Sequence, residues 1–397
     1  MQTRLPESVL ITREGREAEA ILRRCVHCGF CTATCPTYRL LGDERDSPRG
    51  RIYLIKQMLE EQPVGEHTRH HLDRCLLCRG CETTCPSGVR YSRLLEIGRE
   101  RLDRKKPRPW PQRLHRAALR WLLPDARRFA LALGLARRLR PFLPAGLRAR
   151  IPAPGDAGPL PVSTHPRQVI LPGGCVQPAL DPGIDAATAR VLDRLGISVV
   201  RAGGCCGAVD LHLSAPEAAR QRARTNLAAW TGLLDDGAEA ILSNASGCGL
   251  MLKEYPDLLP DDDRARPVAE ATLDLVELLE REDLSPLGQP GRGRRIAFHP
   301  PCTLQHGQKL AGRVERLLAR LGFELLPFDD ARICCGAAGT YSLLQPDLAR
   351  ALRDDKLEKL LARGPELVAT ANIGCLTHLA ANSPVPVVHW ITLLTDE

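Results

Sequence analysis

The chain has 397 residues, 16 of them cysteine, and a formal net charge of +8. Only 4% of its residues are aromatic, which argues against a surface that stacks nucleic-acid bases. Its longest apolar stretch, residues 129–136, is far shorter than the roughly 20 residues of a membrane-spanning helix. Residues 1–20 mix charges and lack the apolar run of a secretion signal, so we expect a cytoplasmic protein. In that reducing compartment, cysteines serve metal or redox chemistry rather than disulfides.

Residues 1–105 are predicted to form a compact helical domain with an internal repeat. The motif Cys-x2-Cys-x2-Cys-x3-Cys-Pro occurs twice, each time after a helical stretch. This is the spacing of bacterial two-cluster ferredoxins, in which the fourth cysteine of each motif ligates the other cluster. We therefore predict two [4Fe–4S] clusters. The predicted ligands of the first are Cys25, Cys28, Cys31 and Cys85, and those of the second are Cys75, Cys78, Cys81 and Cys35.

Zinc is the alternative metal for these thiolates, but zinc sites usually pair two Cys-x2-4-Cys motifs instead of placing three cysteines in one short loop. His27 lies between two predicted ligands and is expected to tune its cluster rather than bind iron. The loop Ser47–Arg51 has two interpretations. Either its arginines lie near cluster sulfurs, or it caps a helix and contributes surface charge.

Residues 106–165 are predicted to contain basic amphipathic helices followed by a Pro-rich linker. Residues 101–150 hold 15 Lys and Arg against 2 Asp, a net charge of +13, which leaves −5 for the other 347 residues. Basic amphipathic helices are typical of proteins that lie on anionic lipid surfaces. A surface for a protein partner is the alternative interpretation.

Residues 166–285 and 286–397 are predicted to be two copies of an α/β repeat. Each copy has a strand followed by a cysteine, a second strand leading to Cys-Cys-Gly, and a third strand ending in Gly-Cys, with helices between them. Such alternation predicts a parallel sheet whose carboxyl edge gathers the ligands. The predicted metal-binding sets are Cys175, Cys205, Cys206 and Cys248 in the first copy and Cys302, Cys334, Cys335 and Cys375 in the second.

These two sets are candidates for one or two further iron–sulfur clusters. Buried structural thiols and a redox disulfide between adjacent cysteines are the alternatives. The predicted fold class is thus α+β multidomain: a helical two-cluster ferredoxin domain followed by two α/β parallel-sheet Cys-Cys-Gly repeats. The sequence has no G-x-G-x-x-G, Walker-type loop or nucleophile elbow, so no catalytic residue is assigned. Since clusters carry single electrons, we expect an electron conduit whose partner performs the two-electron chemistry.

The stretches CVHCGFCTATCPTYRLLGDERDSPRGRIYLIKQ and RICCGAAGTYSLLQPDLAR resemble the iron–sulfur subunit of bacterial glycolate oxidase (glycolate dehydrogenase), and the resemblance extends over essentially the whole chain. It implies an electron-transfer subunit of an oxidoreductase. Partner subunits containing FAD oxidise glycolate to glyoxylate, and quinone is the acceptor, at the inner face of the cell membrane. Nucleic acid is not an expected partner.

Two groups of alternatives remain. The chain is an equivalent subunit of a glycerol-3-phosphate or lactate dehydrogenase or of a heterodisulfide reductase, or it is a zinc-binding structural or nucleic-acid-binding protein. The heterodisulfide reductase version of the repeat ends in Cys-x2-Cys, whereas Met251 and His378 stand at the final position here. The resemblance therefore does not imply the five-thiolate, non-cubane cluster of those enzymes.

Overall fold

A computed structural model describes residues 1–142, 144, 151–152 and 155–395. Parts of the predicted basic segment and linker (143, 145–150 and 153–154) lie outside the described residues, as do 396–397. The chain forms two compact units. The first comprises Met1–His115 and Arg332–Lys356, and the second comprises Arg116–Ala331 and Leu357–Glu397. The four-segment division made from the sequence stays a prediction.

The N-terminal part of the first unit is helical. Its α-helices are α1 (Glu7–Leu10), α2 (Arg13–Arg24), α3 (Phe30–Ala33), α4 (Pro36–Leu41), α5 (Pro48–Leu59), α6 (Glu66–Asp73), α7 (Gly80–Thr83) and α8 (Tyr91–Lys105), with a 3-10 turn at Glu44–Asp46. Thr12 and Ser47 are the N-caps of α2 and α5, each accepting a backbone N–H three residues later. Both caps satisfy N–H groups that helix starts leave unpaired.

Helices α2, α5 and α8 enclose the apolar core of this unit, which includes Leu22, Ile55 and Leu94. At Gly98 of α8, a Cβ atom would lie 2.8 Å from Cγ1 of Ile55, so glycine is what permits the close approach of α5. The core lies behind the two cysteine loops and fixes the helices from which they emerge.

Two further helices, α9 (Trp110–Leu122) and α10 (Ala126–Leu139), form the basic segment, with a 3-10 turn at Arg140–Phe142. No residue of α9 is buried, and α10 buries only Leu133. Arg137 of α10 donates to the carbonyl oxygens of Pro152 (3.1 Å) and Leu180 (3.4 Å), so this helix is bonded to other parts of the second unit.

The second unit contains two four-stranded parallel sheets. The strands are β1 (Arg167–Pro172), β2 (Ile197–Ala202), β3 (Ile241–Ser243), β4 (Thr272–Asp274), β5 (Arg295–His299), β6 (Glu324–Leu325), β7 (Leu367–Thr370) and β8 (Val387–His389). The strand orders, β2-β1-β3-β4 and β6-β5-β7-β8, are the same pattern in both copies. Register pairs Val169 with Val199 in the first sheet and Ala297 with Val368 in the second.

Helices connect the strands and continue to residue 380. They are α11 (Gln177–Leu180), α12 (Gly183–Arg194), α13 (Ala208–His212), α14 (Pro216–Asp235), α15 (Ser246–Lys253), α16 (Tyr255–Leu258), α17 (Ala265–Glu270), α18 (Leu275–Leu279), a π-turn at Thr303–Gly307, α19 (Arg313–Arg320), α20 (Tyr341–Leu344), α21 (Pro346–Leu361) and α22 (Ile373–Ala380), with 3-10 turns at Ser285–Leu287 and Trp390–Leu394. The segment Arg332–Lys356, which carries α20, belongs to the first unit.

The two copies share one apolar core, since a single cluster of buried side chains includes Val169 and Leu242 of the first and Phe298 and Ala369 of the second. Polar contacts join them as well: the hydroxyls of Ser246 and Thr303 lie 2.8 Å apart. The two copies therefore share one core and are not two separate domains.

The predicted fold class is confirmed: a helical ferredoxin-type part is followed by two α/β copies with parallel sheets. The copies differ in one predicted strand. In the first, β2 ends close to Cys205, whereas β6 is only two residues long and ends at Leu325, well before Cys334. Within the described residues, no helix is both long and apolar enough to cross a bilayer.

Candidate iron–sulfur sites

The two cysteine loops of the first unit have the same backbone conformation. His27 (φ 56°) and Leu77 (φ 54°) occupy equivalent left-handed positions, as do Gly29 (φ 86°) and Arg79 (φ 60°). These turns aim backbone N–H groups at sulfur: Leu77 donates to Sγ of Cys75 (3.5 Å), and the His27 N–H lowers the pKa of Cys25, although burial raises it more. The first cysteine of each loop is therefore held by the turn that follows it.

The first cleft is lined by the first predicted ligand set. Its walls include Cys25, Cys28, Cys31 and Cys85 together with Cys81 of the second set. His27 and Arg49 also line it. Cys85, from the other copy of the motif, thus lies beside the three cysteines of the first loop; that these four hold one cluster stays a prediction.

The second cleft is lined by the second predicted set. Its walls include Cys35, Cys75, Cys78 and Cys81. Arg51 and Arg79 lie in the same wall. Thr34 and Thr84, at equivalent places in the two motifs, both donate to the carbonyl oxygen of Gly80, which ties the copies together between the clefts.

Burial controls the electrostatics of these thiols. It raises the pKa of Cys31 to about 11 and the pKa of Cys81 well above its usual value. Both side chains are therefore neutral thiols at pH 7 without metal. A metal that bound them would displace their protons, because thiolate is the ligand form, so its binding would weaken as the pH falls.

The residues around the first cleft fit an iron–sulfur cluster. Nε2 of His27 is buried there without a hydrogen-bond partner in the described part of the chain, and burial lowers the pKa of this histidine. A nitrogen in that position can donate a hydrogen bond to an acceptor in the cleft, which agrees with the tuning role expected of His27. Cluster sulfur is such an acceptor.

Four thiols also come together in the first Cys-Cys-Gly repeat. Cys175 follows β1, Cys205 and Cys206 follow β2, and Cys248 lies in α15 after β3, so all four lie at the carboxyl edge of the sheet. Sγ of Cys206 is 3.4 Å from Sγ of Cys248. A hydrogen bond between Cys175 and Cys205 raises the pKa of the first thiol and lowers that of the second.

Charged side chains surround this thiol group. Asp210, in the helix that begins just after Gly207, accepts hydrogen bonds from Arg222 (2.6 Å) and from Arg120 of α9 (3.3 Å). Arg222 is close enough to contribute to lowering the pKa of Cys205. The Cys-Cys-Gly turn is thus tied to one of the basic helices.

In the second repeat, Cys302 and Cys375 follow the carboxyl ends of the neighbouring strands β5 and β7 in the second unit. Nδ2 of Asn372 lies 3.7 Å from Sγ of Cys375. Cys334 and Cys335 belong to the first unit, where the Gly336 N–H donates to Sγ of Cys334 (3.5 Å). Convergence of all four stays a prediction.

Sequence reasoning missed Tyr91 and the network around Asp46. Tyr91 is buried and lines both clefts. Asp46 is fully buried and pairs with Arg51 and Arg74. Both interpretations of the loop Ser47–Arg51 apply, because Ser47 caps α5 while Arg51 lies beside Cys35. A charged residue at an inward position of α5 is the signal that would have singled out Arg51.

Comparisons with known proteins agree with this arrangement. The model of the 4Fe-4S dicluster domain matches residues 21–89, and that of the cysteine-rich domain matches residues 171–253 and 296–380. The chain is 55% identical to the glycolate oxidase iron-sulfur subunit of Escherichia coli K12, over 99% of this chain and 98% of that protein. It is 28% identical to the probable glycolate oxidase iron-sulfur subunit of Bacillus subtilis, over 92% and 89%. Identity to one subunit of the dihydromethanophenazine:CoB–CoM heterodisulfide reductase of Methanosarcina barkeri is 23%, over 90% and 88%.

The fold and its cysteine clefts define an iron–sulfur protein that combines a dicluster domain with two cysteine-rich domains. The match of the N-terminal domain to a 4Fe-4S dicluster domain confirms the prediction that this domain holds [4Fe–4S] clusters. With 55% identity over nearly its full length, the chain belongs to the family of glycolate oxidase iron–sulfur subunits.

Proposed function

We propose that this chain is the electron-transfer subunit of a glycolate-oxidising flavoprotein complex. The observation that carries the proposal is its near full-length similarity to the glycolate oxidase iron-sulfur subunit of E. coli. The chain has two adjacent cysteine clefts, and its sequence has no identified substrate motif. This combination is expected of a protein that transfers single electrons. Glycolate is oxidised on partner subunits that contain FAD, and quinone is the final acceptor. Lactate utilization proteins match only about half of the chain, which favours glycolate as the donor.

The test compares the flavin subunits with and without this chain. With the chain present, glycolate should reduce quinone; without it, that rate should fall at least tenfold, while reduction of a soluble two-electron dye by the same flavin subunits persists. Lactate and glycerol 3-phosphate serve as competing donors. Equal quinone reduction without the chain contradicts the proposal.

We further propose the ligands. Cys25, Cys28, Cys31 and Cys85 hold one [4Fe–4S] cluster, and Cys75, Cys78, Cys81 and Cys35 hold the other; the lining of the two clefts supports this division. The thiols of the two repeats are proposed sites for one or two more. Roughly eight irons per anaerobically purified chain are expected from the dicluster domain alone, and more if the repeats are loaded. Zinc in place of iron would support the structural or nucleic-acid-binding alternative instead.

We also propose that α9 and α10 dock on the anionic surface of the membrane that holds the quinone. Large apolar side chains on both helices are exposed to solvent: Trp110, Leu114, Trp121, Leu131, Leu135 and Leu139. One face of α10 carries exposed side chains four residues apart: Arg127, Leu131, Leu135 and Leu139. The exposed apolar stripe of this helix therefore begins with a cation. This combination matches a lipid interface better than it matches a solvated helix.

The membrane proposal is tested by replacing Arg127 and Arg138 with Gln. Arg137 and Arg128 stay unchanged because Arg137 holds α10 in place and the guanidinium group of Arg128 stacks on Trp121. At about 1 kcal/mol per cation, binding to vesicles with anionic lipid should weaken roughly thirtyfold. The matched control replaces the exposed Arg266 and Arg281, which removes the same charge elsewhere. Equal losses in both variants, or none, would refute docking through these helices.

A further inference from the structure

The second cleft contains a buried cation against one of its cysteines. The side chain of Arg51 is 1% exposed. Its Nη1 donates to Oγ1 of Thr37 (3.1 Å) and lies 4.0 Å from Sγ of Cys35. Its Nε donates to the carbonyl oxygen of His71 (2.7 Å). These bonds hold the guanidinium group at one place beside the sulfur.

The charges around Arg51 do not cancel. Asp46 is one fully buried carboxylate shared by two guanidinium groups, those of Arg51 (3.1 Å) and Arg74 (3.0 Å). Arg79 also lines the cleft, and the carboxylate of Glu82 acts on Cys81 in the same wall. Asp46 also lies within 4.8 Å of ligand atoms of Asp43 and His71, but the guanidinium groups already bound to it make this an ion-pair network rather than a cation site. Within this buried network, two guanidinium groups therefore face one carboxylate.

At the first cleft, the arginine is far less buried. Its arginine, Arg49, is 34% exposed and pairs with one carboxylate, that of Glu44, at 2.7 Å. A pair of opposite charges open to water acts weakly on its surroundings compared with buried cations. The two clefts thus differ in electrostatic environment although their cysteine motifs are equivalent.

We propose that the cluster of the second cleft has the higher reduction potential of the two and that the buried Arg51 is what raises it. The inference rests on the ligand sets proposed above. Adding an electron makes a cluster more negative, and a fixed cation nearby stabilises that form; net charge and solvent exposure are known determinants of cluster potentials. An electron on the cluster of the first cleft therefore passes to the cluster of the second cleft. The first cluster is oxidised in this step and the second is reduced. The clefts share Pro48, Cys81 and Tyr91 as a common wall, so the distance is short.

The test is an EPR-monitored redox titration of the full-length chain with its clusters, in which a Cys78→Ser variant identifies the signal of the second cleft. In Arg51→Gln, the ratio of reduced to oxidised second cluster at a fixed potential should fall at least tenfold, which is 59 mV for a one-electron couple. Asp46→Asn should raise the same ratio, because it removes a negative charge from the network. Arg49→Gln is the matched control and should leave the second cluster within threefold of the parent.

An electrostatic role predicts that Arg51→Gln lowers the reduction potential of the second cluster and that Asp46→Asn raises it. Lost packing does not predict shifts in opposite directions. If Arg51→Gln does not assemble the second cluster, the direction of the Asp46→Asn shift decides alone. A first cluster of higher potential than the second, or equal shifts of both clusters, would overturn the inference. A chain without iron would instead contradict the proposed function, so the two failures are distinguishable.

Discussion

At the scale of single residues, the two Cys-Cys-Gly turns depend on glycine. Gly207 (φ +94°) and Gly336 (φ +93°) share a left-handed conformation that side chains rarely adopt. A Cβ on Gly207 would lie 3.2 Å from the carbonyl oxygen of Ala219, and one on Gly336 would lie 2.6 Å from that of Ala349. The sequence pattern alone predicts a sharp turn here; the crowding against a helix behind it becomes visible only in the structure.

We expect Gly207→Ala to lower the free energy of unfolding by about 1–2 kcal/mol, the cost of a left-handed non-glycine residue. Gly336→Ala should cost more, since its Cβ contact is closer. The control is Gly232→Ala in α14, where no atom lies within 4 Å of the new Cβ and alanine should stabilise the helix by about 0.5–1 kcal/mol. Urea unfolding under anaerobic conditions measures all three. Similar values for Gly207→Ala and Gly232→Ala would show that the turn tolerates a side chain.

At the scale of secondary structure, the sequence predicted the features that depend on local patterns. The tandem motif predicted two equivalent loops, and the positive φ angles of His27 and Leu77 show that they are equivalent in backbone as well as in sequence. The alternation of strands and helices predicted two parallel sheets, which the strand orders confirm. Periodicity did not predict the short β6, because two residues carry too little pattern to distinguish a strand from a loop.

Contacts between distant parts of the chain were beyond such reasoning. Asp46, Arg51 and Arg74 come from three different elements, and no spacing in the sequence links them. The same holds for Arg332–Lys356, which the sequence assigns to the second repeat but which packs in the first unit. Long-range burial decides these contacts; the sequence indicates that Arg51 stands at an inward position of α5, but not which residues it pairs with.

At the scale of the whole molecule, the two repeats are joined at a buried histidine. His389 ends β8 in the second copy, is 1% exposed, and accepts the Ile391 N–H (3.3 Å). Nε2 of His389 is buried without a hydrogen-bond partner in the described part of the chain, and burial lowers the pKa of His389 to about 3. Helix α12 packs on the turn Trp390–Leu394 that follows. Ionising this histidine therefore costs free energy where the copies meet.

We predict that acidification destabilises the second unit through His389. Between its folded pKa of about 3 and its ordinary value of 6.5, the unfolded chain binds the proton and the folded chain does not, so stability is lost as pH falls below 6.5. From pH 6.5 to pH 5 the loss is about 2 kcal/mol. Asp274, whose pKa burial raises to about 6, acts in the opposite sense because its folded form holds a proton that the unfolded form has lost.

Comparing the parent with His389→Gln separates the two groups, since Asp274 contributes equally to both. The variant lacks the titrating ring. Its free energy of unfolding minus that of the parent should therefore increase by about 2 kcal/mol between pH 7 and pH 5. Fluorescence of the buried Trp230 and Trp390, both in the second unit, reports urea unfolding at each pH. Parallel pH profiles would mean that His389 is charged or solvated in the folded protein, and the junction of the repeats would then not be the acid-sensitive point of this unit.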